Sequence, residues 1–144
     1  MQSTLHYLEK LVAFPTVSRD SNLELIDYIA SELDVMGIAS TLIHSEDGRK
    51  ANLWATIGPP DGQGIALSGH TDVVPVEGQN WSSDPFTLTQ RGGNLLGRGS
   101  ADMKGFIAAC LHLAQHAGRR KLHTPLHFAF SYDEEIGCIG VRRM

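Results

Sequence analysis

Several features that would place a protein in a specialised class are scarce or absent in this sequence. The 144 residues contain two cysteines, Cys110 and Cys138, too few for a disulfide framework and without the spacing of a metal-binding pair. No apolar run approaches the roughly 18 residues of a membrane span, and polar residues interrupt the first ten positions, which excludes a signal peptide. Basic residues are not in excess, with 12 Lys and Arg against 16 Asp and Glu and a net charge of −4. The sequence therefore predicts a cytoplasmic protein that binds neither nucleic acid nor membranes.

What the sequence does contain is one domain's worth of alternating helical and extended patterns. Hydrophobic residues make up 42% of the chain, enough for a single globular core. Apolar spacing and helix-stop signals predict helices over 3–14, 21–37 and 103–117. Short apolar or β-branched runs predict strands over 39–44, 51–57, 65–68 and 126–132, and shorter strand pieces over 86–89 and 94–96. The first two strands are predicted to pair, the 65–68 strand to lie inside the sheet, and the whole to be a layered α/β fold.

His70 and Asp72 follow directly after the apolar run that begins at Ile65. Two residues apart on extended backbone, their side chains point to the same side, so the carboxylate could bind a metal or hold an imidazole that does. The alternative is an ordinary loop histidine beside a turn-forming aspartate. The pair gains weight from the other acidic residues that follow strands or precede helices.

Asp102 lies at the end of a glycine-containing segment, Gly97-Arg-Gly-Ser-Ala-Asp, just before the third predicted helix. A metal-binding carboxylate is one interpretation of this position. The other is an N-cap aspartate, which is a frequent and sufficient reason for this residue type at a helix start.

The triplet Asp133-Glu134-Glu135 ends the last predicted strand. Three adjacent carboxylates repel one another unless cations are near. Neighbouring glutamates point in different directions, so one could bind a metal while the other handles a proton. A solvated acidic turn is the competing interpretation.

His112 and His116 are four residues apart on the third helix, but Leu113 stands where a helical zinc protease has glutamate. We interpret them as part of a solvated helix face rather than as ligands.

Three segments together, Ser68–Pro75, Gly97–Gly105 and Asp133–Gly137, resemble the successive motifs of the M20 family of two-metal amidohydrolases. Their order and spacing agree with the family. The resemblance implies a layered α/β/α catalytic domain with a mixed, mostly parallel sheet. Family members are more than twice this length, so residues 1–144 are expected to be the N-terminal part of the catalytic domain, without its remaining ligands or its dimerisation domain.

The resemblance also implies a role for each candidate residue. His70 would bind one metal, Asp102 would bridge both metals, and Glu135 would bind the other. Glu134 would be the general base, and Asp72 would orient His70. The cofactors implied are two divalent ions, zinc or alternatively cobalt, and the peptide bond between Asp102 and Met103 is expected to be cis.

The implied activity is hydrolysis of a small N-acyl amino acid. The substrate that the resemblance favours is N-acetylornithine, which would give ornithine and acetate in arginine biosynthesis. The full-length enzyme is expected to be a homodimer. The alternatives are desuccinylation of succinyl-diaminopimelate, a dipeptidase, or a non-catalytic metal-binding fragment. Residues 1–144 alone offer too few ligands for two metals, so they are expected to be inactive by themselves.

Overall fold

The computed structural model describes residues 2–144 as an alternation of helices and strands, as the sequence pattern predicts. In chain order the elements are α1 (Thr4–Val12), α2 (Leu23–Val35), β1 (Ser40–His44), β2 (Ala51–Ile57), β3 (Ile65–His70), β4 (Thr89–Arg91), β5 (Asn94–Leu96), α3 (Lys104–Ala117) and β6 (Leu126–Ser131), followed by a 3₁₀ turn over Gly140–Arg143. Every predicted helix is found with slightly shorter bounds, because capping residues such as Ser3 lie just outside the helix.

The predicted strand over 86–89 is wrong. The Asp84 carboxylate accepts hydrogen bonds from the Phe86 amide and the Thr87 hydroxyl, both at 2.9 Å. Such an aspartate turn competes with extended backbone. The strand β4 therefore begins at Thr89 and pairs with β5 in a small separate hairpin.

The larger sheet has the order β1-β2-β6-β3. Strands β1 and β2 form the expected antiparallel hairpin, β2 pairs antiparallel with β6, and β6 pairs parallel with β3. The mixed α/β class is confirmed, but two of these three pairs are antiparallel, so parallel pairs do not predominate. The reason is connection length: the turn between β1 and β2 is far too short for a crossover, whereas α3 lies between β3 and β6 and allows parallel pairing.

The prediction that β3 lies inside the sheet is also wrong for residues 2–144. Strand β3 is at one edge of the order, and Ile65 is 61% exposed. The interior strand is β6, which pairs on both sides.

One face of the sheet carries the core. The side chains of Leu53, Ala55, Phe128 and Phe130 pack in one cluster with apolar residues of all three helices. Residues of alternate parity, such as Thr56 and His127, lie on the other face and are half-buried. Among the described residues, no helix combines the length and apolarity that a membrane span needs. The core thus fixes the sheet and α3, whose ends carry the candidate site.

Candidate metal centre

The parallel pairing of β3 and β6 brings two of the predicted segments side by side. His70 is in register with Ser131 at the carboxyl ends of these strands, and the Thr71 amide donates to the Ser131 carbonyl at 2.8 Å. The carboxyl ends of adjacent parallel strands are where α/β folds place ligand sites. The loops that leave these strands carry Asp72 on one side and the acidic triplet on the other.

The His70 imidazole is held in a defined tautomer. Its Nδ1 lies 2.9 Å from the backbone carbonyl of Asp72, and because a carbonyl can only accept, Nδ1 carries a proton. Its Nε2 lies 3.0 Å from Oδ1 of Asp102 and 3.7 Å from Oε2 of Glu134. The second ring nitrogen therefore faces carboxylate oxygens, an arrangement that requires a proton or a cation between them.

Asp72 is a buried carboxylate that contacts several parts of the site. It is 2% exposed, and its Oδ2 accepts hydrogen bonds from the Ser18 hydroxyl at 2.6 Å and the Glu135 amide at 3.2 Å. Its Oδ1 accepts from the Glu134 amide at 3.0 Å and lies 3.5 Å from Nδ1 of His70. One buried carboxylate thus fixes the histidine and the backbone of both glutamates.

Asp102 is not the N-cap of α3, so that interpretation is wrong. The cap position is Met103, which makes no side-chain capping bond, and the Asp102 carboxylate contacts His70 instead. The peptide bond between Asp102 and Met103 is cis, as the family resemblance implied. The loop lies so close to α3 that a Cβ on Gly105 would come within 2.4 Å of the Ser100 carbonyl oxygen. The Asp102 side chain is 75% exposed, which leaves its carboxylate accessible from solvent.

The acidic triplet is not simply a solvated turn. Asp133 is 8% exposed and has a backbone φ of +54°, a left-handed conformation uncommon for a residue with a side chain. Its carboxylate pairs with the Lys50 ammonium at 2.5 Å. Glu134 and Glu135 are half-buried beside it. Lys50 thus supplies a cation for Asp133, whereas Glu134 and Glu135 lie toward His70.

Burial, hydrogen bonds and neighbouring charges shift the pKa values of His70, Asp72 and Glu135. Burial lowers the pKa of His70, but hydrogen bonds to Asp72 and Asp102 outweigh it and raise that pKa to about 9. Burial raises the pKa of Asp72, but hydrogen bonds from His70, Ser18 and the two amides lower it to about 2. Burial, then the charge of Asp102, raises the pKa of Glu135. A proton on His70 or a bound cation can supply the positive charge that the facing carboxylates of Asp102 and Glu134 require.

The donor set fits a divalent cation. Ligand atoms of His70, Glu134 and Glu135 all lie within 4.8 Å of one another. Oδ1 of Asp102 lies 3.0 Å from Nε2 of His70. One imidazole with several carboxylates suits zinc and similar first-row ions. A cavity of about 260 Å³ adjoins the group, with Met103 and Val141 among its lining residues. A cavity of about 560 Å³ borders Lys50 and Asp133, and one of about 450 Å³ lies beside Tyr7 and Gln115. Within the described part of the chain, the group of His70, Glu134 and Glu135 is the one set of His, Cys, Asp and Glu placed to hold a metal ion.

The structure leaves one histidine pair outside this site and adds supporting residues that the sequence did not indicate. The rings of His112 and His116 lie 4.9 Å apart on α3, and Nδ1 of His112 contacts the Gln2 carbonyl. Ser18 and Lys50 contact the site from loops 54 and 83 residues away from their partners. No local pattern identifies them, because their roles depend on tertiary packing.

The arrangement of a histidine and carboxylates at the ends of adjacent parallel strands defines the class, a mixed α/β domain with a candidate metal site at the strand ends. The sequence profile of peptidase family M20/M25/M40 matches residues 66–144. The chain belongs to this family.

Named relatives agree with this assignment. The chain is 38% identical over 147 residues to an acetylornithine deacetylase of Pasteurella multocida, covering 97% of this chain and 38% of that protein. It is also 38% identical over 140 residues to an acetylornithine deacetylase of Proteus mirabilis, covering 92% of this chain and 36% of that protein. The chain thus spans less than two fifths of the length of these relatives.

Solved structures share the fold. An M20 family metallo-carboxypeptidase of Sulfolobus solfataricus superposes with a TM-score of 0.82 at 23% identity, covering 98% of this chain and 33% of that one. Human carnosine dipeptidase 1 superposes with a TM-score of 0.81 at 24% identity, covering 96% and 33%. At this level of identity the likeness establishes the fold alone.

Proposed function

We propose that this chain supplies one wall of a two-metal centre that hydrolyses the amide bond of a small N-acyl amino acid. The observation that carries the proposal is the environment of His70 Nε2, which faces the carboxylates of Asp102 and Glu134 at 3.0 and 3.7 Å. A buried, tautomer-fixed imidazole facing a cluster of carboxylates is the arrangement of a metal ligand whose other nitrogen is held by the protein.

In this proposal His70, Asp102 and Glu135 would hold two divalent ions, zinc or alternatively cobalt. Bound divalent metals supply Lewis acidity, which polarises the scissile carbonyl and makes water a better nucleophile near neutral pH. Asp72 keeps the proton on Nδ1 of His70, so that the lone pair of Nε2 is free for a metal.

Glu134 is the proposed proton carrier. Its side chain is 43% exposed and borders the cavity of about 260 Å³, so water and substrate can reach it. As the oxygen of water bonds to the amide carbon, Glu134 takes the proton; as the carbon–nitrogen bond breaks, it gives that proton to the departing amine. The products are a carboxylic acid and a free amino acid.

The relatives named acetylornithine deacetylase support N-acetylornithine as substrate, with ornithine and acetate as products. Arginine biosynthesis, which the family resemblance implied, is the proposed setting. A desuccinylase of succinyl-diaminopimelate or a dipeptidase uses the same chemistry and is the alternative. Two complete coordination shells need more ligands than His70, Asp102 and Glu135 provide. We therefore propose that activity belongs to a longer, cytoplasmic, homodimeric protein and that residues 1–144 alone hydrolyse little or nothing.

The test joins residues 2–144 to the remaining sequence of the Pasteurella multocida relative. We expect the zinc-loaded chimera to release ornithine from N-acetylornithine and its His70→Ala variant to lose both zinc and turnover. A folded, zinc-loaded chimera without turnover would contradict the proposal. Faster turnover of succinyl-diaminopimelate or a dipeptide would favour the alternative substrates. Turnover by residues 1–144 alone at a comparable rate would contradict the proposed division of the site.

A further inference from the structure

The loop that carries Glu134 and Glu135 is held on two sides by different elements. On one side, the Asp72 carboxylate accepts the amides of both glutamates. On the other side, Asn52 at the start of β2 accepts from the Tyr132 amide at 3.2 Å and donates to the Gly140 carbonyl at 2.8 Å. Asn52 therefore closes the base of the loop, and Asp72 fixes the segment that faces the metal ligands.

Asp133 stands between these two attachments and has a left-handed backbone. Its φ of +54° turns the chain sharply just before Glu134, in a left-handed region that aspartate enters more readily than most residues with a side chain. The Asp133 carbonyl accepts a hydrogen bond from the Ile139 amide at 3.0 Å, and the contact to its side chain comes from Lys50. Its ammonium pairs with the Asp133 carboxylate at 2.5 Å and donates to the Ser18 carbonyl at 2.5 Å.

The ion pair of Lys50 and Asp133 is shielded from solvent and lies next to the segment that supports Asp72. The side chains of Lys50 and Asp133 are 15% and 11% exposed, so solvent screens their attraction only weakly. Ser18 is the same residue whose hydroxyl donates to Asp72. Lys50 thus ties the turn that precedes Glu134 to the segment that supports Asp72.

We propose that Lys50 is a positioning residue of the hydrolytic site: by pairing with Asp133 and holding Ser18, it sets the direction in which Glu134 and Glu135 project. The inference rests on the proposed function for its consequence, because the glutamates matter only if they bind metal and carry the proton. Its structural content is independent of that function.

The experiment compares Lys50→Met with Lys50→Arg and with Lys10→Met, which removes an exposed lysine of the last turn of α1. The first readout is the ¹⁵N–¹H spectrum of the metal-free chain. We expect Lys50→Met to shift the Glu134 and Glu135 amide signals, Lys50→Arg to restore them largely, and Lys10→Met to leave them unchanged. The second readout is calorimetric zinc titration, in which loss of a residue that supports ligands costs about 10- to 100-fold in affinity.

Asp133→Asn supplies a second, milder variant. Asparagine tolerates the left-handed region and keeps the shape of the side chain while removing the charge. We expect it to shift the same two amide signals, and we expect the double variant with Lys50→Met to add little.

The outcomes separate a positioning role from a merely structural one. A folded Lys50→Met chain with a lower melting temperature but unchanged glutamate signals and zinc affinity would overturn the proposal. Unfolding of both Lys50→Met and Asp133→Asn would do the same, because the pair would then serve stability. If the chimera that carries the unmodified residues 2–144 binds no zinc, the proposed function fails while the amide signals still decide the role of Lys50.

Discussion

Replacing Asp72 with asparagine tests how the site is assembled. Whichever way the new amide turns, its NH₂ group replaces an oxygen that now accepts a backbone amide, from Glu134 on Oδ1 or from Glu135 on Oδ2. A buried amide left without a partner costs about 1–3 kcal/mol. The interactions that lower the pKa of Asp72 from 3.8 to about 2 correspond independently to ~2 kcal/mol at neutral pH. Because both figures describe the same hydrogen bonds, we expect a total loss of about 2–3 kcal/mol in the free energy of unfolding.

The pH dependence gives this prediction its sharpest form. The folded-state pKa of Asp72 lies below that of the unfolded chain, so its stabilising contribution is complete above pH 4 and is lost as the pH falls toward 2. Urea unfolding of the metal-free chain should therefore show a full difference between wild type and Asp72→Asn at pH 7 and about half of it at pH 3. Asp61→Asn, in an exposed loop, is the matched control and should change little. An Asp72→Asn chain as stable as wild type at pH 7, or destabilised equally at both pH values, would refute the reasoning.

Four further predictions follow from the same contacts. In the chimera, Glu134→Gln should keep zinc, measured by metal analysis, but lose about 10²- to 10⁴-fold in turnover because the proton acceptor is gone; normal turnover per zinc would refute this role. Asp102→Ala should instead lose metal, and full zinc content would count against a shared ligand. Burial lowers the pKa of Lys104 to about 7, so this lysine contributes a rise of ~2 kcal/mol in the free energy of unfolding between pH 7 and 9, and His70, whose pKa is raised to about 9, contributes an opposing fall in wild type and variant alike. Unfolding of Lys104→Met should lack this rise. Strand β3 is an edge with Ile65 61% exposed, so sedimentation should show self-association that Ile65→Lys reduces, and a strictly monomeric wild type would contradict it.

The sequence predicted the parts of the site that depend on local pattern. His70 and the acidic triplet each follow an apolar run, and such runs become neighbouring strands whose ends meet at one edge. The glycines before α3 also predicted that this segment is a loop that leads into a helix. What the residues alone left open was whether Asp102 caps the helix, and the contact with His70 decided this.

The sequence did not predict the features that depend on which strands become neighbours. Strands β2 and β6 pair antiparallel although they are far apart in the sequence, so no local pattern specifies this pairing. The exposure of β3 follows from that order. Lys50 reaches Asp133 because β2 lies beside β6, and in the sequence it reads as an ordinary residue after a turn.

The most direct test of the central claim, that this cluster binds a divalent metal, is anomalous diffraction at the zinc edge from crystals of the zinc-loaded chimera. We predict a peak at bonding distance from Nε2 of His70, with carboxylate oxygens of Asp102 or Glu135 among the other contacts. A peak beside His112 and His116 instead, or no peak while His70 keeps its hydrogen bond to Asp102, would contradict the claim.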